Sequence, residues 1–433
     1  MGGFPAPADS GQPFSVLMVG SGGREHALAW ALRRSPSVSD LYAAPGNPGI
    51  AELTDTVDLP VTAVDGITDW AATRRIGLVV VGPELPLALG LADRLIERGV
   101  PVFGPRRAAA ELEWSKAYAK AFLREQGIPT AAYATFDDAE TALAYVSRQP
   151  YPLVVKADGL AAGKGVAICA DREEAEAAIR GALVDGAFGE AGRRVVVEEF
   201  LRGDELSVMA LCDGERIACL PPARDYKRLG DGATGPNTGG MGSIAPVAGV
   251  DAAILEGITE TVLRPTVDGL RRAGRPYRGA LYAGLMLTAD GPKVLEFNCR
   301  LGDPETQAVV PLLAGDLAKA LLACAERRLD PKSVVWNDGF ATCVTLAAAG
   351  YPEHPETGAV LAGLDVAART GALVFQAGTA RRGDDLVVAG GRVLSVVGQG
   401  RTASEATARA YAAADRVGFD GSRMRRDIGV AGA

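Results

Sequence analysis

The stretch from Lys293 to Gln307 sets more oriented charge beside a predicted strand than any other part of this chain. From Lys293 to Asn298 polar and apolar residues alternate, so Glu296 and Asn298 project from one face of the strand. A carboxylate beside an amide oxygen suits a hard divalent cation such as Mg²⁺, which completes its shell with water and phosphate oxygens. An ordinary amphipathic strand would show the same pair, so the pair alone leaves both interpretations open.

Three charged residues that follow the strand favour a site. Arg300 continues on the same face, while Gly302 and Pro304 break the strand and predict a turn. This turn places two more carboxylates, those of Asp303 and Glu305, at the end of the strand. The stretch therefore predicts a metal pair with cationic and acidic groups next to it.

Length and composition narrow the classes of function. A chain of 433 residues is long enough for about three domains. The net charge of −8 argues against a broad nucleic-acid-binding surface, and no run approaches the roughly 20 apolar residues of a membrane span. The only two histidines, His26 and His354, leave little room for a zinc site or a Ser-His-Asp triad.

Chemistry in this chain must rest on carboxylates, arginine, lysine and metal. Only eight lysines stand against 37 arginines, so a lysine near a predicted site carries more information than usual. The six cysteines show no C-x-x-C pair, which fits a reducing cytoplasm. Residues 1–14 are predicted to be a flexible leader, because they lack the cationic start and apolar core of a signal peptide.

The N-terminal segment predicts an open parallel α/β sheet. A strand from Ser15 to Val19 leads into the turn Gly20–Gly23 and a helix from Arg24 to Arg34, and such a helix start attracts anions. Glu25 stands where a dinucleotide fingerprint has its third glycine, so NAD binding is disfavoured.

Ligands of such a sheet bind beyond the carboxyl ends of its strands. Further strands end near Ala43 and Val81, and four residues of the turns would lie on that edge: Gly22, Gly23, Asn47 and Glu84. Each of the four is equally a plain turn residue. For Asn47 the turn interpretation is favoured, because Asn is common in turns.

The middle of the chain holds candidates for phosphate binding. A helix predicted from Pro105 to Gln126 contains Lys116. Strand signals on both sides of a Gly-rich turn predict a β-hairpin from Leu153 to Ile168. The hairpin is not a P-loop, which would need a helix after the turn. Its backbone N–H groups can still close over phosphates, with Lys156 and Lys164 supplying charge.

The remaining elements follow from composition and periodicity. A Gly-rich segment from Gly235 to Gly242 predicts an irregular, mobile and functional loop. From about Trp336 short alternating strands appear, and Leu386–Val388 is predicted to form a hairpin with Arg392–Val397 across Gly390 and Gly391. The other predicted elements are a strand at Leu281–Leu287 and helices at Asp251–Ala273, Leu312–Arg328 and Ser404–Arg416.

Several long motifs occur in one order along the chain: Val19–Ala27, Ala44–Asn47, Val81–Glu84, Lys156–Val166, Thr234–Gly242 and Arg300–Gln307. On these motifs the chain resembles the ATP-grasp enzymes, and more narrowly the phosphoribosylamine–glycine ligase family of de novo purine biosynthesis. The resemblance covers nearly the whole chain from Ser15.

The resemblance implies α/β and α+β folds in three domains. These are an N-terminal α/β substrate domain (15–115), an ATP-grasp domain (116–335) with a mobile lid at about 135–198, and a small mixed β C-terminal domain (336–433). It also implies that ATP lies between two antiparallel sheets with Mg²⁺ or Mn²⁺. Glycine and 5-phosphoribosylamine would react through glycyl phosphate to give glycinamide ribonucleotide, ADP and phosphate.

The resemblance also implies roles for individual residues. The nucleotide would be held by Lys116, Lys156, Gly163, Lys164, Gly165, Glu198, Glu199, Phe200, Leu201 and Glu205, and the metal by Glu296 and Asn298. Catalytic roles fall to Arg300, Asp303, Lys156 and Asp225. The substrates would contact Gly22, Gly23, Asn47, Glu84, Asn237, Thr238, Gly239, Gly240, Asp303 and Glu305. Many ATP-grasp members carry a further metal carboxylate on the preceding strand, where this chain is apolar around Gly284.

Three other functions fit parts of the pattern. A ligase of the same superfamily and pathway could use formate or bicarbonate as the acid. A nucleotide-binding regulator would bind ATP without acceptor-dependent hydrolysis, and a dinucleotide oxidoreductase is disfavoured by Glu25. The expected partners are small molecules, with no nucleic acid and no membrane, for a cytoplasmic monomer or weak dimer.

Overall fold

The computed structural model describes residues 12–160 and 165–430. Its first part is a five-stranded parallel sheet in the order β3-β2-β1-β4-β5, which confirms the predicted open sheet. Phe14 was assigned to the leader, but it begins β1 and pairs with Val38. The elements are β1 (Phe14–Gly20), α1 (Gly23–Arg34), β2 (Val38–Pro45), α2 (Pro48–Ala51), β3 (Asp55–Thr56), α3 (Val64–Thr73), β4 (Leu78–Val81), α4 (Glu84–Ala88), α5 (Leu91–Glu97) and β5 (Val102–Phe103).

The single helix predicted from Pro105 to Gln126 is wrong. The segment forms two helices, α6 (Arg107–Trp114) and α7 (Lys116–Glu125), which are separated by Ser115 in an extended conformation. The Ser115 hydroxyl accepts a hydrogen bond from the backbone N–H of Tyr118, as an N-cap does. Lys116 is therefore the first residue of α7 and does not lie in the middle of a longer helix.

A four-stranded antiparallel sheet in the order β6-β9-β7-β8 follows. The pairing of β7 with β8 confirms the predicted hairpin, although residues 161–164 of its turn lie outside the described residues. The side chains of this unit form a hydrophobic core of their own. Its elements are β6 (Tyr133–Phe136), α8 (Ala139–Val146), β7 (Leu153–Ala157), β8 (Val166–Cys169), α9 (Arg172–Leu183) and β9 (Val195–Glu199).

A second antiparallel sheet has the order β11-β10-β16-β17. Its edge strand β17 contains Lys293–Asn298, the predicted strand of the stretch Lys293–Gln307. Gly284 of β16 lies opposite Glu296 of β17. The elements here are β10 (Asp204–Asp213), β11 (Ile217–Cys219), β12 (Arg224–Asp225), β13 (Arg228–Gly230), β14 (Thr234–Asn237), β15 (Gly242–Ala245), α10 (Ala252–Ile258), a π-helical turn (Thr259–Leu263), α11 (Arg264–Arg272), β16 (Arg278–Thr288), β17 (Gly291–Asn298), α12 (Glu305–Val309) and α13 (Leu317–Ala325).

Two predictions for this region need correction. The Gly-rich segment Gly235–Gly242 is irregular only in part, because its first residues belong to β14, which pairs with the preceding β13 in a small antiparallel sheet. The helix predicted from Leu312 begins only at Leu317, where the Asp316 carboxylate caps it by accepting the Lys319 N–H. Pro311 lies in a short 3₁₀ turn before α13, and the start of such a turn tolerates a proline.

The C-terminal part is a small β structure whose strand pairs are antiparallel rather than mixed. The predicted hairpin between Leu386–Val388 and Arg392–Val397 is wrong. The strand that begins at Arg392, β22, is buried along most of its length and lies between β18 and β19. The strand that ends at Val388, β21, pairs instead with β20 across Gly383. The elements are β18 (Phe340–Ala347), α14 (Leu364–Ala368), β19 (Leu373–Gln376), β20 (Thr379–Arg382), β21 (Asp385–Val388), β22 (Arg392–Gly400) and α15 (Ala403–Ala414).

The largest sheet of this part takes strands from two regions of the chain. Its order is β12-β15-β18-β22-β19, so two short strands from residues 224–245, β12 and β15, extend the C-terminal sheet. Within residues 12–160 and 165–430 no helix has both the length and the apolar character needed to cross a bilayer.

Phe375 joins the C-terminal sheet to the N-terminal part. Its ring is almost fully buried and lies edge-on to His26 and Trp30 of α1, at 5.5 and 6.2 Å between ring centres. We expect Phe375→Ala to lower the free energy of unfolding by about 3–5 kcal/mol, because it leaves a cavity between the two parts. Urea unfolding followed by fluorescence measures this. The half-exposed Val366, changed to Ala, is the control, and an equal loss in both variants would contradict the role of Phe375.

Candidate active site

Glu296 of β17 is the acidic centre of a cationic region. Burial alone would raise the pKa of its carboxyl group, but nearby cations lower that pKa to about 2. The cations are Lys227, Lys156, Lys116 and Arg300. Lys227 is the one in direct contact, with Nζ 3.5 Å from Glu296 and 3.2 Å from Glu205. Glu296 is therefore an anion over the whole physiological pH range.

The Glu296 and Asn298 pair fits a cation that is shared with phosphate oxygens. The two residues lie two positions apart on β17, so both side chains leave the same face of the strand. Gly284 stands opposite Glu296 and supplies no second carboxylate. Within the described part of the chain, no three His, Cys, Asp or Glu side chains group as metal ligands. Two oxygen ligands suit Mg²⁺ that keeps water and phosphate in its shell.

Arg300 lies between two carboxylates that come from the N-terminal half. Its Nε lies 3.2 Å from Glu113 of α6 and 3.4 Å from Glu84 at the start of α4. Despite burial, Arg300 lowers the pKa of Glu84. The Nε–H group of Arg300 makes no hydrogen bond to any described residue, although it is buried. The guanidinium is thus held between Glu84 and Glu113 by charge.

Glu113 was not predicted from the sequence. One of its oxygens accepts the backbone N–H of Cys299 at 2.6 Å, and the other faces Arg300. Burial raises the pKa of Glu113 to about 7, although Arg300 opposes this shift. The charge opposite Arg300 therefore changes close to neutral pH.

Asp303 is fixed by the C-terminal sheet. Its Oδ2 lies 3.1 Å from Arg392 of β22, and its Oδ1 accepts a hydrogen bond from Gln307 at 2.7 Å. Arg392 also donates to the backbone oxygens of Asp303 and Gly239, at 2.8 and 2.5 Å. Although burial opposes ionisation, Arg392 lowers the pKa of Asp303. Asp303 is thus an oriented anion with little tendency to take a proton.

Asp225 and Glu305 form a second acidic pair. Glu305 is the first residue of α12 and accepts the Ser207 hydroxyl at 3.0 Å, while Ser207 contacts the Tyr282 hydroxyl at 2.9 Å. Burial and the neighbouring Glu305 raise the pKa of Asp225 well above its usual range. The buried Oδ1 of Asp225 has no hydrogen-bond partner among the described residues. This carboxyl can accept a proton or a donor group.

Three glycines lie where distant chain segments meet, and two of them, Gly23 and Gly240, leave no room for a side chain. A side chain at Gly23 would come within 2.8 Å of the Gln307 amide, and one at Gly22 would lie 3.5 Å from Asp303. Gly240 has φ +111°, and a side chain there would clash with Pro304. The structure thus brings the first glycine turn, the turn after β17 and the Gly-rich segment together, as the sequence-based prediction of one site requires.

Other predicted substrate residues are engaged with the protein itself. The Asn47 side chain caps α2 through Ile50 N–H and donates to the backbone oxygens of Ser21 and Gln376. These contacts support the turn interpretation that the sequence favoured. Thr238 binds the Lys227 backbone, Gly239 N–H donates to the Tyr351 hydroxyl, and Asn237 pairs with Arg228.

The predicted nucleotide residues line the junction of the two antiparallel sheets. The Lys116 ammonium donates to the Gly159 backbone oxygen at 3.2 Å, and that of Lys156 donates to the Leu295 oxygen of β17 at 3.1 Å. Burial lowers the pKa of Lys116. Lys293 of β17 lies 3.7 Å from the exposed Glu199, which follows the buried Glu198 on β9.

The remaining predicted nucleotide residues differ in surroundings. Leu201 is buried, Phe200 carries the Arg202 guanidinium over its ring, and Gly165 accepts the Ala157 N–H. Gly163 and Lys164 lie outside the described residues. Sequence reasoning missed Arg392, Glu113 and Lys120 and gave Lys227 no role. The scarcity of lysine could have pointed to Lys120 and Lys227.

The class of protein follows from this fold and site. Residues 114–306 match the family model described as the ATP-grasp (A) domain of phosphoribosylglycinamide synthetase. The biotin carboxylase domain of the 2-oxoglutarate carboxylase from Hydrogenobacter thermophilus shares the fold. It has a TM-score of 0.73 at 17% identity and covers 95% of this chain and 92% of that one. The chain is an ATP-grasp enzyme. The ATP-grasp fold implies use of ATP with a divalent metal.

The particular family is equally clear. The N and C domain models of phosphoribosylglycinamide synthetase match residues 14–113 and 341–431. The phosphoribosylamine–glycine ligase of Allochromatium vinosum is 51% identical over 96% of this chain and 97% of its own. The crystal structure of the phosphoribosylamine–glycine ligase from Thermotoga maritima has a TM-score of 0.84 at 37% identity and covers 96% and 100%. The chain belongs to the phosphoribosylglycinamide synthetase family, whose ligases join glycine to phosphoribosylamine in purine biosynthesis.

We expect Arg392→Met to reduce kcat by about 10-fold or more, because one guanidinium fixes both Asp303 and the Gly239 backbone and its loss leaves a buried carboxylate unpaired. The apparent KM for ATP should change little. Steady-state ADP release with glycine and phosphoribosylamine measures both. Arg382→Met, at an exposed position of β20, is the matched control. Unchanged kcat in Arg392→Met would show that this contact is dispensable.

The raised pKa of Glu113 predicts a specific pH dependence of stability. Between the ordinary pKa of 4.5 and the folded value of about 7, the folded state binds more protons than the unfolded state. Stability therefore falls as pH rises through this window. We expect this fall to be smaller in Glu113→Gln by about 1–3 kcal/mol. Urea unfolding from pH 5 to 8 tests it against Glu97→Gln at an exposed site. Parallel curves for Glu113→Gln and the wild type would rule it out.

Proposed function

We propose that this chain makes glycinamide ribonucleotide in two chemical steps, with glycyl phosphate as the intermediate. The supporting observation is the convergence of Lys116, Lys156, Lys227 and Arg300 on Glu296. Phosphoryl transfer depends chiefly on positioning and charge neutralisation, and this set supplies both at the end of one strand. The three carboxylates Asp225, Asp303 and Glu305 lie near Lys227 and Arg300, and the attacking amine would bind beside them.

In the first step an oxygen of the glycine carboxylate attacks the γ-phosphorus of ATP. The bond from that phosphorus to the β–γ bridging oxygen breaks, and ADP leaves. Lys116 and Lys156 neutralise the phosphate oxygens, while the Arg300 guanidinium, whose Nε faces Glu84 and Glu113, offers its positive charge to the phosphoryl group in transit. A carboxylate is a poor electrophile, so this step converts it into a reactive acyl phosphate.

A divalent metal, Mg²⁺ or Mn²⁺, would be held by Glu296 and Asn298 and would neutralise charge on the phosphates. Lys227 shares the Glu296 carboxylate and keeps it oriented in this structure. Adenine would lie beside Glu198, Glu199, Phe200 and Leu201, and the ribose hydroxyls beside Glu205. The glycine turn of the hairpin lies outside the described residues, and its contact with the phosphates stays a prediction.

In the second step the amine of 5-phosphoribosylamine attacks the acyl carbon. The carbon–oxygen bond to phosphate breaks, phosphate leaves, and the nitrogen loses a proton. Asp225 takes that proton, a role supported by its raised pKa and its unpartnered oxygen. Asp303 is already paired with Arg392 and orients the amine instead. Arg300 stabilises the oxyanion of the tetrahedral intermediate.

The acceptor would enter from the N-terminal sheet, past Gly22, Gly23 and Glu84. This placement agrees with the parallel sheet, whose carboxyl edge meets the turn after β17. We also propose the domain division 15–115, 116–335 and 336–433, and a monomer or weak dimer. The six free cysteines support a cytoplasmic location.

The test of this function is ADP release against three acids. Purified protein, ATP, a divalent metal and phosphoribosylamine generated in situ are combined with glycine, formate or bicarbonate. We expect ADP release with glycine only, together with glycinamide ribonucleotide in equal amount. ADP release with formate or bicarbonate at the same rate would refute the assignment of glycine.

Arg300→Lys should lower kcat by about 100-fold, because a point charge does not replace a planar guanidinium that faces two carboxylates and a substrate oxygen. The affinity for ATP should stay within about 3-fold of wild type, since the nucleotide lysines remain. Kinetics with glycine and direct titration with ADP separate the two effects. A variant with normal kcat would make Arg300 a structural residue.

A further inference from the structure

Lys120 belongs to a buried ion cluster beside the nucleotide residues. It lies on α7, and its Nζ is 2.9 Å from one oxygen of Glu198, while the Nζ of Lys156 is 2.9 Å from the other. The three side chains are only 3%, 2% and 9% exposed, in the order Lys120, Glu198 and Lys156. One carboxylate thus bridges two lysines in the interior.

Both lysines are also anchored to β17, the strand that carries Glu296. Lys120 donates to the Thr130 hydroxyl at 2.7 Å, and this hydroxyl donates to the Val294 backbone oxygen at 2.6 Å. Lys156 donates to the Leu295 oxygen. The cluster therefore ties helix α7 and the sheet that contains β7 and β9 to the neighbouring sheet that contains β17.

The charge balance of the cluster bears on phosphate binding. A lone Glu198–Lys156 pair would largely cancel the charge of Lys156, and a buried pair gains little from that. With Lys120 on the second oxygen, the three groups keep one net positive charge. Burial lowers the pKa of Lys120 to about 8, while the Glu198 carboxylate opposes this shift.

We propose that Lys120 is a positioning residue for the nucleotide: through Glu198 it holds Lys156 in place and keeps that ammonium available to a phosphate oxygen of ATP. Lys120 acts through Glu198 and Thr130, and its side chain is only 3% exposed, so this role requires no contact with ATP. The inference rests on the proposed function in one respect, namely that Lys156 meets the phosphates.

The test is a double-mutant cycle on nucleotide affinity. Full-length Lys120→Met, Glu198→Gln and the double variant are titrated calorimetrically with ADP and a divalent metal. We expect Lys120→Met to weaken ADP binding about 10-fold, and to change it less than 2-fold when Glu198 is already Gln. The KM for glycine should stay unchanged. Lys120→Arg should recover most of the affinity, and Lys319→Met on the surface of α13 is the control.

A merely structural role for Lys120 predicts a different outcome. In that case Lys120→Met would weaken binding equally in both backgrounds, or would lower thermal stability with ADP affinity intact, and either result overturns the inference. If Lys120→Met does not fold, the cycle is run with Lys120→Arg and Lys120→Gln. Lys156→Met separates this inference from the proposed function. Unchanged ADP binding in that variant would remove the premise that Lys156 meets phosphate, whereas weakened binding there with no effect of Lys120→Met would sink the inference alone.

Discussion

Pairing of the many ionised groups around the end of β17, several of them buried, is the constraint on which the site depends. An isolated buried charge would neutralise or unfold its surroundings, so each one needs a partner in place. The structure meets this need with shared contacts: Glu198 serves two lysines, Lys227 serves two carboxylates, and Arg300 stands between Glu84 and Glu113. Because each group has more than one partner, ATP and glycine enter a region whose charges are already oriented.

The partners in these pairs come from distant parts of the chain. Glu84 and Glu113 belong to the first 115 residues, Arg300 follows β17, and Arg392 belongs to the C-terminal sheet. Glycines at positions 23 and 240 make the close approach of these segments possible. The active site is thus a property of the packed domains together, and two hydrophobic cores likewise combine residues from distant parts of the chain.

Local sequence patterns predict most of the individual strands and turns. Alternation identified β17, and the glycine turn after β1 and the β7–β8 hairpin followed from turn chemistry. Pairings between distant segments could not be predicted: Glu113 meets the backbone of Cys299, 186 positions away, and Arg392 meets Asp303, 89 positions away. The error at β21 and β22 has the same origin, since two strands joined by a glycine turn were expected to pair while the longer one found deeper partners.

The shared sheet β12-β15-β18-β22-β19 has a consequence for how the polypeptide can be divided. A cut near residue 336 would separate the C-terminal fragment from two of the five strands of its largest sheet. The exposed edge of β18 would then offer unpaired backbone groups to any extended segment. Two such fragments should associate by strand addition, in which a strand of one fragment pairs with the open edge of the other. The C-terminal domain therefore has one boundary along the sequence and a different one in the folded sheet.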